Sequence, residues 1–162
     1  MSELAILDMT EEVSDNMGSY NHSAIQANLA FLLKQTRQYS VFTELSLDVS
    51  HLDPNQLKSK DEVKPDVCIY PRRGLSRPYD ILKMAEMPLL AIEILSPRQA
   101  AYEILQKFEV YFILGVKSCW LVDPTTEVVA VYSALKQHQT FSAGDIIDVV
   151  LDIRLPLAEV FE

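Results

Sequence analysis

Leu89-Leu90-Ala91-Ile92-Glu93-Ile94-Leu95-Ser96-Pro97 is the stretch on which the fold turns. Its first seven residues are apolar except Glu93. A short, unbroken apolar run of this kind reads as a strand covered on both faces, hence a central strand. Pro97 ends it, because the residue before a proline is held extended and the proline has no N–H to give to a sheet. Glu93 stands inside the run. A carboxylate there costs several kcal/mol unless it is paired or keeps its proton, so Glu93 requires a partner.

Downstream, residues 98 to about 114 predict the longest helix, with an apolar face centred on Ile104, Phe108 and Tyr111 and a left-handed C-terminal cap at Gly115. Lys107 lies on the rim of that face, where its stem can pack while its ammonium turns towards the strand carrying Glu93. Lys117 to Val122 is another apolar strand, Asp123-Pro124-Thr125-Thr126 a turn, and Glu127 to Tyr132 alternates, which gives a hairpin. Short strands are expected near Gln139 and Ile146. In the closing segment, Leu155, Leu157, Val160 and Phe161 are apolar enough to pack on the core or on a second subunit.

Upstream, Lys64-Pro65-Asp66-Val67-Cys68-Ile69 predicts a strand over 65–70, with Pro65 fixing the direction in which Asp66 enters it. Pro71, Gly74 and Pro78 close it into an irregular loop. Val41 to Val49 alternates and reads as one strand with a solvated face, followed by a polar segment from Asp53 to Val63. Ile25, Leu29, Leu32 and Leu33 recur at helical spacing from a cap at Ser19 or Asn21. Residues 1–18 form an acidic lead-in, and 19–162 are expected to be a single domain. The order of helix, strands, crossover helix and further strands predicts an α/β (α+β) fold with a central mixed β-sheet flanked by helices.

Composition narrows the function. The chain has 162 residues, 49% of them hydrophobic, which is enough for a core without disulfides or a structural metal. Cys68 and Cys119 sit in apolar strands without Cys-x-x-Cys spacing and read as buried reduced thiols, while His22, His51 and His138 lack zinc-site spacing. No run approaches the roughly 18 apolar residues of a membrane span, and the start lacks a basic segment followed by an apolar one, so no membrane association and a cytoplasmic location are expected. The net charge of -9 argues against broad, non-specific nucleic-acid binding. Lys58, Lys60, Lys64, Arg72, Arg73, Arg77 and Lys83 nevertheless outnumber the local acids, so a cationic patch beside Asp66 is one reading and a solvated loop the other.

Asp66, Glu93 and Lys107 are the candidate catalytic residues. Two carboxylates and an ammonium in apolar settings suit a divalent-metal phosphodiesterase. Each also has a plain structural reading: a strand-entry Asp bonded to a turn, a buried ion pair at Glu93, and an i,i+4 surface pair between Glu103 and Lys107. Glu44 is a weaker candidate for a second metal contact, favoured as part of a solvated face.

Three stretches carry a resemblance: Lys64-Pro65-Asp66-Val67; Ile92-Glu93-Ile94-Leu95-Ser96-Pro97; and Lys107 with Tyr111 and Leu114-Gly115-Val116-Lys117-Ser118-Cys119-Trp120-Leu121-Val122-Asp123-Pro124. Over about residues 64 to 133 the chain resembles the PD-(D/E)xK restriction-endonuclease-like superfamily, in particular the restriction-endonuclease group abundant in cyanobacteria. Where the wider superfamily places the motif's lysine, two residues after the acidic one, this chain has Leu95; Lys107 stands where that group carries its lysine on the following helix. Arg98-Gln99 replaces the group's usual Ser-Thr, and Glu103 stands where Asp is common. The resemblance implies a restriction-endonuclease-like core with the site at one edge of the sheet. It also implies one Mg²⁺ or Mn²⁺ held by Asp66, Glu93 and the Ile94 backbone carbonyl, a DNA substrate, and a homodimer suited to cutting both strands. The alternatives are a non-cleaving nucleic-acid-binding or regulatory protein with the same fold, and a structural protein with a buried Glu93–Lys107 pair.

Overall fold

The computed structural model describes residues 18–53 and 62–162. The acidic lead-in, except Gly18, and residues 54–61 of the polar segment lie outside the described residues. The elements, in chain order, are α1 (Tyr20–Gln35), β1 (Tyr39–Thr43), β2 (Leu47–Asp48), β3 (Glu62–Val63), β4 (Val67–Pro71), β5 (Leu90–Ile94), α2 (Ala101–Ile113), β6 (Ser118–Asp123), β7 (Val128–Ala134), β8 (Gln137–Phe141), β9 (Asp145–Asp148), β10 (Ile153–Pro156) and α3 (Leu157–Val160).

A six-stranded sheet in the order β1-β4-β5-β6-β7-β8 organises them. β5 runs parallel to β6, and the other neighbours are antiparallel. A parallel pair needs a crossover, and α2 supplies it. β5 is apolar apart from Glu93 because both its faces are covered, as its alternate residues show. Leu90, Ile92 and Ile94 join α1's Ile25, Leu29, Leu32 and Leu33 in one cluster, whereas Ala91 joins α2's Ile104, Phe108 and Tyr111 in the other. Glu93 shares the parity of Ala91, which aims it at α2.

Local chemistry sets the helix ends. The Ser19 side chain accepts a bond from the His22 N–H, capping α1. At the end of α2, Gly115 takes φ 99°, the Val116 N–H bonds the Tyr111 carbonyl and the Gly115 N–H bonds that of Phe112, a Schellman closure. That closure fixes the backbone of Tyr111, and with it the direction of the Tyr111 ring. α2 starts at Ala101 rather than 98, since Gln99 N–H turns back to the Ser96 carbonyl after Pro97.

The strand expected over 41–49 is broken. Glu44 adopts φ 53°, and the chain leaves the sheet so that Leu47 and Val49 join the α2-side cluster, with β2 pairing β3 apart from the main sheet. Alternation reported the burial of these two residues correctly but could not show that they face a different layer from β1. The tail's apolar residues pack on this chain's own core: Leu155, Leu157 and Val160 are buried in the α1-side cluster, and Phe161 packs against it. The three buried ones are therefore used within this chain's own core. Cys68 and Cys119 are buried free thiols, and burial pushes Cys68 up to about 12.

The sequence did not flag Asp148, whose buried carboxylate accepts from Ser118 Oγ, Trp120 Nε1 (2.8 Å) and the Val150 and Leu151 N–H groups. Asp148→Ala orphans the Trp120 Nε1 and the Val150 and Leu151 N–H groups and leaves Ser118 Oγ only the Tyr132 carbonyl, so urea denaturation should show a loss of about 3–5 kcal/mol, with Asp148→Asn losing less because one oxygen remains.

Candidate active site

Asp66 and Glu93 come together where β4 begins and β5 ends. Asp66 immediately precedes β4; its Oδ2 accepts the Ile94 N–H at 2.7 Å and lies 3.2 Å from His22 Nε2. Its backbone carbonyl accepts from Gln26 Nε2 at 2.9 Å and from the Glu44 N–H at 3.3 Å. The Asp66 backbone is therefore held by the first helix on one side and by the left-handed turn at Glu44 on the other. Since the N–H and C=O of a strand residue face the same neighbour, the Ile94 carbonyl also points to the side where Asp66 lies.

Glu93 is 3% exposed and held from α2: Tyr111 OH donates to Oε1 at 2.7 Å, and Lys107 Nζ lies 3.7 Å from Oε2. Lys107 and Tyr111 are one helical turn apart, so both reach the same carboxyl. Lys107 is 41% exposed, with its stem packed and its ammonium at the solvent boundary. Burial and the neighbouring Asp66 charge push Glu93 up to about 8, and Lys107 and Tyr111 offset this only in part. The 3.7 Å contact alone would suggest a full ion pair. Burial prevails, so Glu93 holds a proton near neutrality while no other cation is bound.

His22 is raised above its ordinary value by its hydrogen bond to Asp66 and by the charges of Asp66, Glu93 and Glu44, against burial, which lowers it. Among the described residues its Nδ1 is buried without a partner. The Nε2–H tautomer suits this arrangement, because it donates to Asp66 and leaves an unpaired acceptor rather than an unpaired donor.

The profile of a family described as "Putative restriction endonuclease" (Uma2) matches residues 11–158. The chain belongs to this family. A solved structure described as a "putative nuclease belonging to DUF820", from Anabaena variabilis ATCC 29413, superposes with a TM-score of 0.67 at 23% identity. The match covers 90% of this chain and 82% of that one, and it establishes the likeness of fold. No curated relative matches.

Within this Uma2 chain the three residues singled out by sequence converge, with Lys107 reaching Glu93 from the helix rather than from two positions along the strand. The site lies between β4 and β5, both internal to the sheet, and so at the strand ends rather than along an edge strand. Glu44 is exposed and enters through its backbone bond to the Asp66 carbonyl. Of the basic residues read as a patch, Arg72 and Arg73 are not beside Asp66, and Lys58 and Lys60 lie outside the described residues. Arg72 and Arg73 follow β4 at its far end, about 17 Å away at strand rise, where Arg72 donates to the Arg37 carbonyl and Arg73 pairs with Glu86 over the Tyr70 ring.

Sequence reading missed His22 and Gln26. They are spaced i,i+4 beside the buried Ile25 and Leu29, and a polar pair one turn apart at the border of an apolar face was the available signal. Tyr111 was legible as part of the family resemblance, without its role. Tyr111→Phe should cost about 1–3 kcal/mol and hold the Glu93 proton to higher pH, read by urea denaturation and by carboxyl ¹³C chemical shifts.

Proposed function

We propose that this protein is a Mg²⁺- or Mn²⁺-dependent endonuclease that hydrolyses DNA phosphodiester bonds. The observation that carries this reading is the convergence of Asp66 and Glu93, from two adjacent strands, beside the ammonium of Lys107. Burial and the adjacent Asp66 charge together raise the proton affinity of Glu93, so a cation bound between the two carboxylates would relieve their repulsion. The donors are hard oxygens, as these ions prefer. Among the described residues no three His, Cys, Asp or Glu side chains form a metal-holding group. Two carboxylates and the Ile94 carbonyl, with water and substrate oxygens filling the rest, suit Mg²⁺, which keeps much of its hydration.

A divalent ion held there would polarise the phosphodiester and lower the pKa of a bound water. The chain's own residues do the rest. Lys107 places a positive charge and three donors at the mouth of the site, where it orients the attacking water and offsets charge developing on the phosphate oxygens as the P–O bond to the leaving group breaks. Tyr111 fixes the Glu93 carboxyl. His22 and the Ile94 N–H fix Asp66, so neither carboxylate must reorganise during the reaction.

A second reading, a structural cluster in a non-cleaving protein, is favoured by Tyr111 and Lys107, which already satisfy both Glu93 oxygens. Incubating supercoiled plasmid with the protein and Mn²⁺ or Mg²⁺ separates the two. Metal-dependent nicking, lost in Asp66→Asn and Glu93→Gln, supports the nuclease, whereas metal binding without nicking supports the non-cleaving protein. A homodimer is part of the proposal and is read by sedimentation.

A further inference from the structure

A cleft of about 420 Å³ opens at the C-terminal end of β5, where Leu95, the residue after Ile94, lines it. Three segments wall it: the start of α1 around Tyr20 and Asn21, the turn over 95–99 that leads directly out of Glu93 and Ile94, and the β6–β7 turn over 123–126. Its chemistry is distinctive. Among the described residues that line it there is no Lys or Arg, and Asp123 is its only charged side chain. Ringed by amide and hydroxyl groups, it also has flat apolar surface from Tyr20, Pro97 and Pro124.

A phosphate is a poor occupant of the lining itself, which carries the Asp123 carboxylate and no cation, Arg98 of the same turn being exposed and outside the lining. A neutral planar ring with a hydrogen-bonding edge is a good one. Tyr20 is 91% exposed as the first residue of α1, two residues before the His22 that holds Asp66. A large aromatic so exposed beside a reaction centre has little to contribute to the fold and a π-face to offer a ligand.

We propose that this cleft takes an unpaired nucleobase adjoining the scissile phosphate, stacked on Tyr20, so that the preferred substrate is single-stranded or flapped DNA rather than continuous duplex. The assignment rests on the nuclease reading for the position of the phosphate. A base in a duplex is paired and stacked and cannot enter the cleft without being extruded. The chain's net charge of -9 points the same way, because an acidic surface gains little from the dense phosphates of a duplex, whereas stacking on an aromatic is independent of charge and sequence.

The test uses fluorescein-labelled oligonucleotides of one sequence as single strand, blunt duplex and flapped duplex, titrated with full-length protein in Ca²⁺ and in EDTA. The same substrates are then incubated with Mn²⁺. Single strand and flap should bind at least roughly tenfold tighter than duplex. Tyr20→Ala should erase that preference, while Tyr20→Phe, which keeps the ring, should retain it. Equal binding of duplex and single strand, or a preference that survives Tyr20→Ala, overturns the proposal. Duplex cleavage that ignores Tyr20 overturns the cleft assignment and leaves the nuclease standing. A Tyr20-dependent single-strand preference without cleavage in any metal upholds the nucleobase site and removes the nuclease reading.

Discussion

Lys107→Met abolishes metal-dependent nicking, with a rate loss of roughly 10²–10³-fold, and leaves the fold nearly as stable as wild type at pH 7. The two halves of this prediction rest on different observations. Lys107 is the one cationic side chain in contact with Glu93 among the described ion pairs, so on the proposed nuclease mechanism removing it takes away the charge that would face the phosphate. Methionine keeps an unbranched stem of similar length at this half-exposed position of α2, one turn before Tyr111. Stability is spared because Glu93 does not depend on Lys107 for neutrality: burial and Asp66 already lift it to about 8, so without the ammonium it keeps its proton rather than standing as an orphaned charge. With Lys107 41% exposed, its attraction for Glu93 is also screened by solvent. A structural ion pair behaves differently, since breaking one strands a buried charge and costs about 3–5 kcal/mol. Plasmid nicking and urea denaturation on the same preparation separate the cases, and a strongly destabilised Lys107→Met would mean that Glu93 is ionised at pH 7 and leans on the ammonium.

Much of this site could be read from the chain because its logic is local. Glu93 inside an apolar strand demanded a partner, and the helix period placed Lys107 where one could come from, while by that spacing Tyr111 read only as part of the apolar face. The same period named Ile25, Leu29, Leu32 and Leu33 as the buried face of α1, and these four are its buried residues. Gly115 was legible because a left-handed cap strongly favours a residue without Cβ. What escaped was tertiary. Which strand end meets which helix end is not encoded in a period of two or 3.6, so the contact of His22 and Gln26 with Asp66 left only the faint trace of an i,i+4 polar pair. For the same reason a cationic patch beside Asp66 and a solvated loop stayed equally open, when a strand's length separates Arg72 and Arg73 from Asp66. The break at Glu44 was invisible because alternation continues across it while the layer changes.

In metal-free protein, stability falls as the pH rises from about 5 to 8. The sign follows from proton counts. Unfolded Glu93 releases its proton near its ordinary 4.5, whereas the folded chain holds it until about 8. Between these values the native state binds more protons than the unfolded state, so raising the pH favours unfolding. One proton of difference is worth about 1.4 kcal/mol for each pH unit, which makes the total several kcal/mol. His22 acts in the same direction. Its folded value is raised by Asp66, so its contribution is complete below its ordinary 6.5 and lost as the pH climbs through the folded value. Glu93→Gln removes the larger effect, keeps a group of the same shape, and should be more stable than wild type at pH 8 in EDTA. Mn²⁺ should reverse the wild-type trend, because binding requires the deprotonated carboxylates and stabilises by mass action, and its increment should therefore grow with pH. Asp66→Asn and Glu93→Gln should lose that increment. Melting curves at pH 5.5 and pH 8, in EDTA and in Mn²⁺, read all of this in one series. Should Mn²⁺ leave wild type unchanged at pH 8 while Glu93→Gln melts lower, the carboxyl belongs to the core and the cation site is gone.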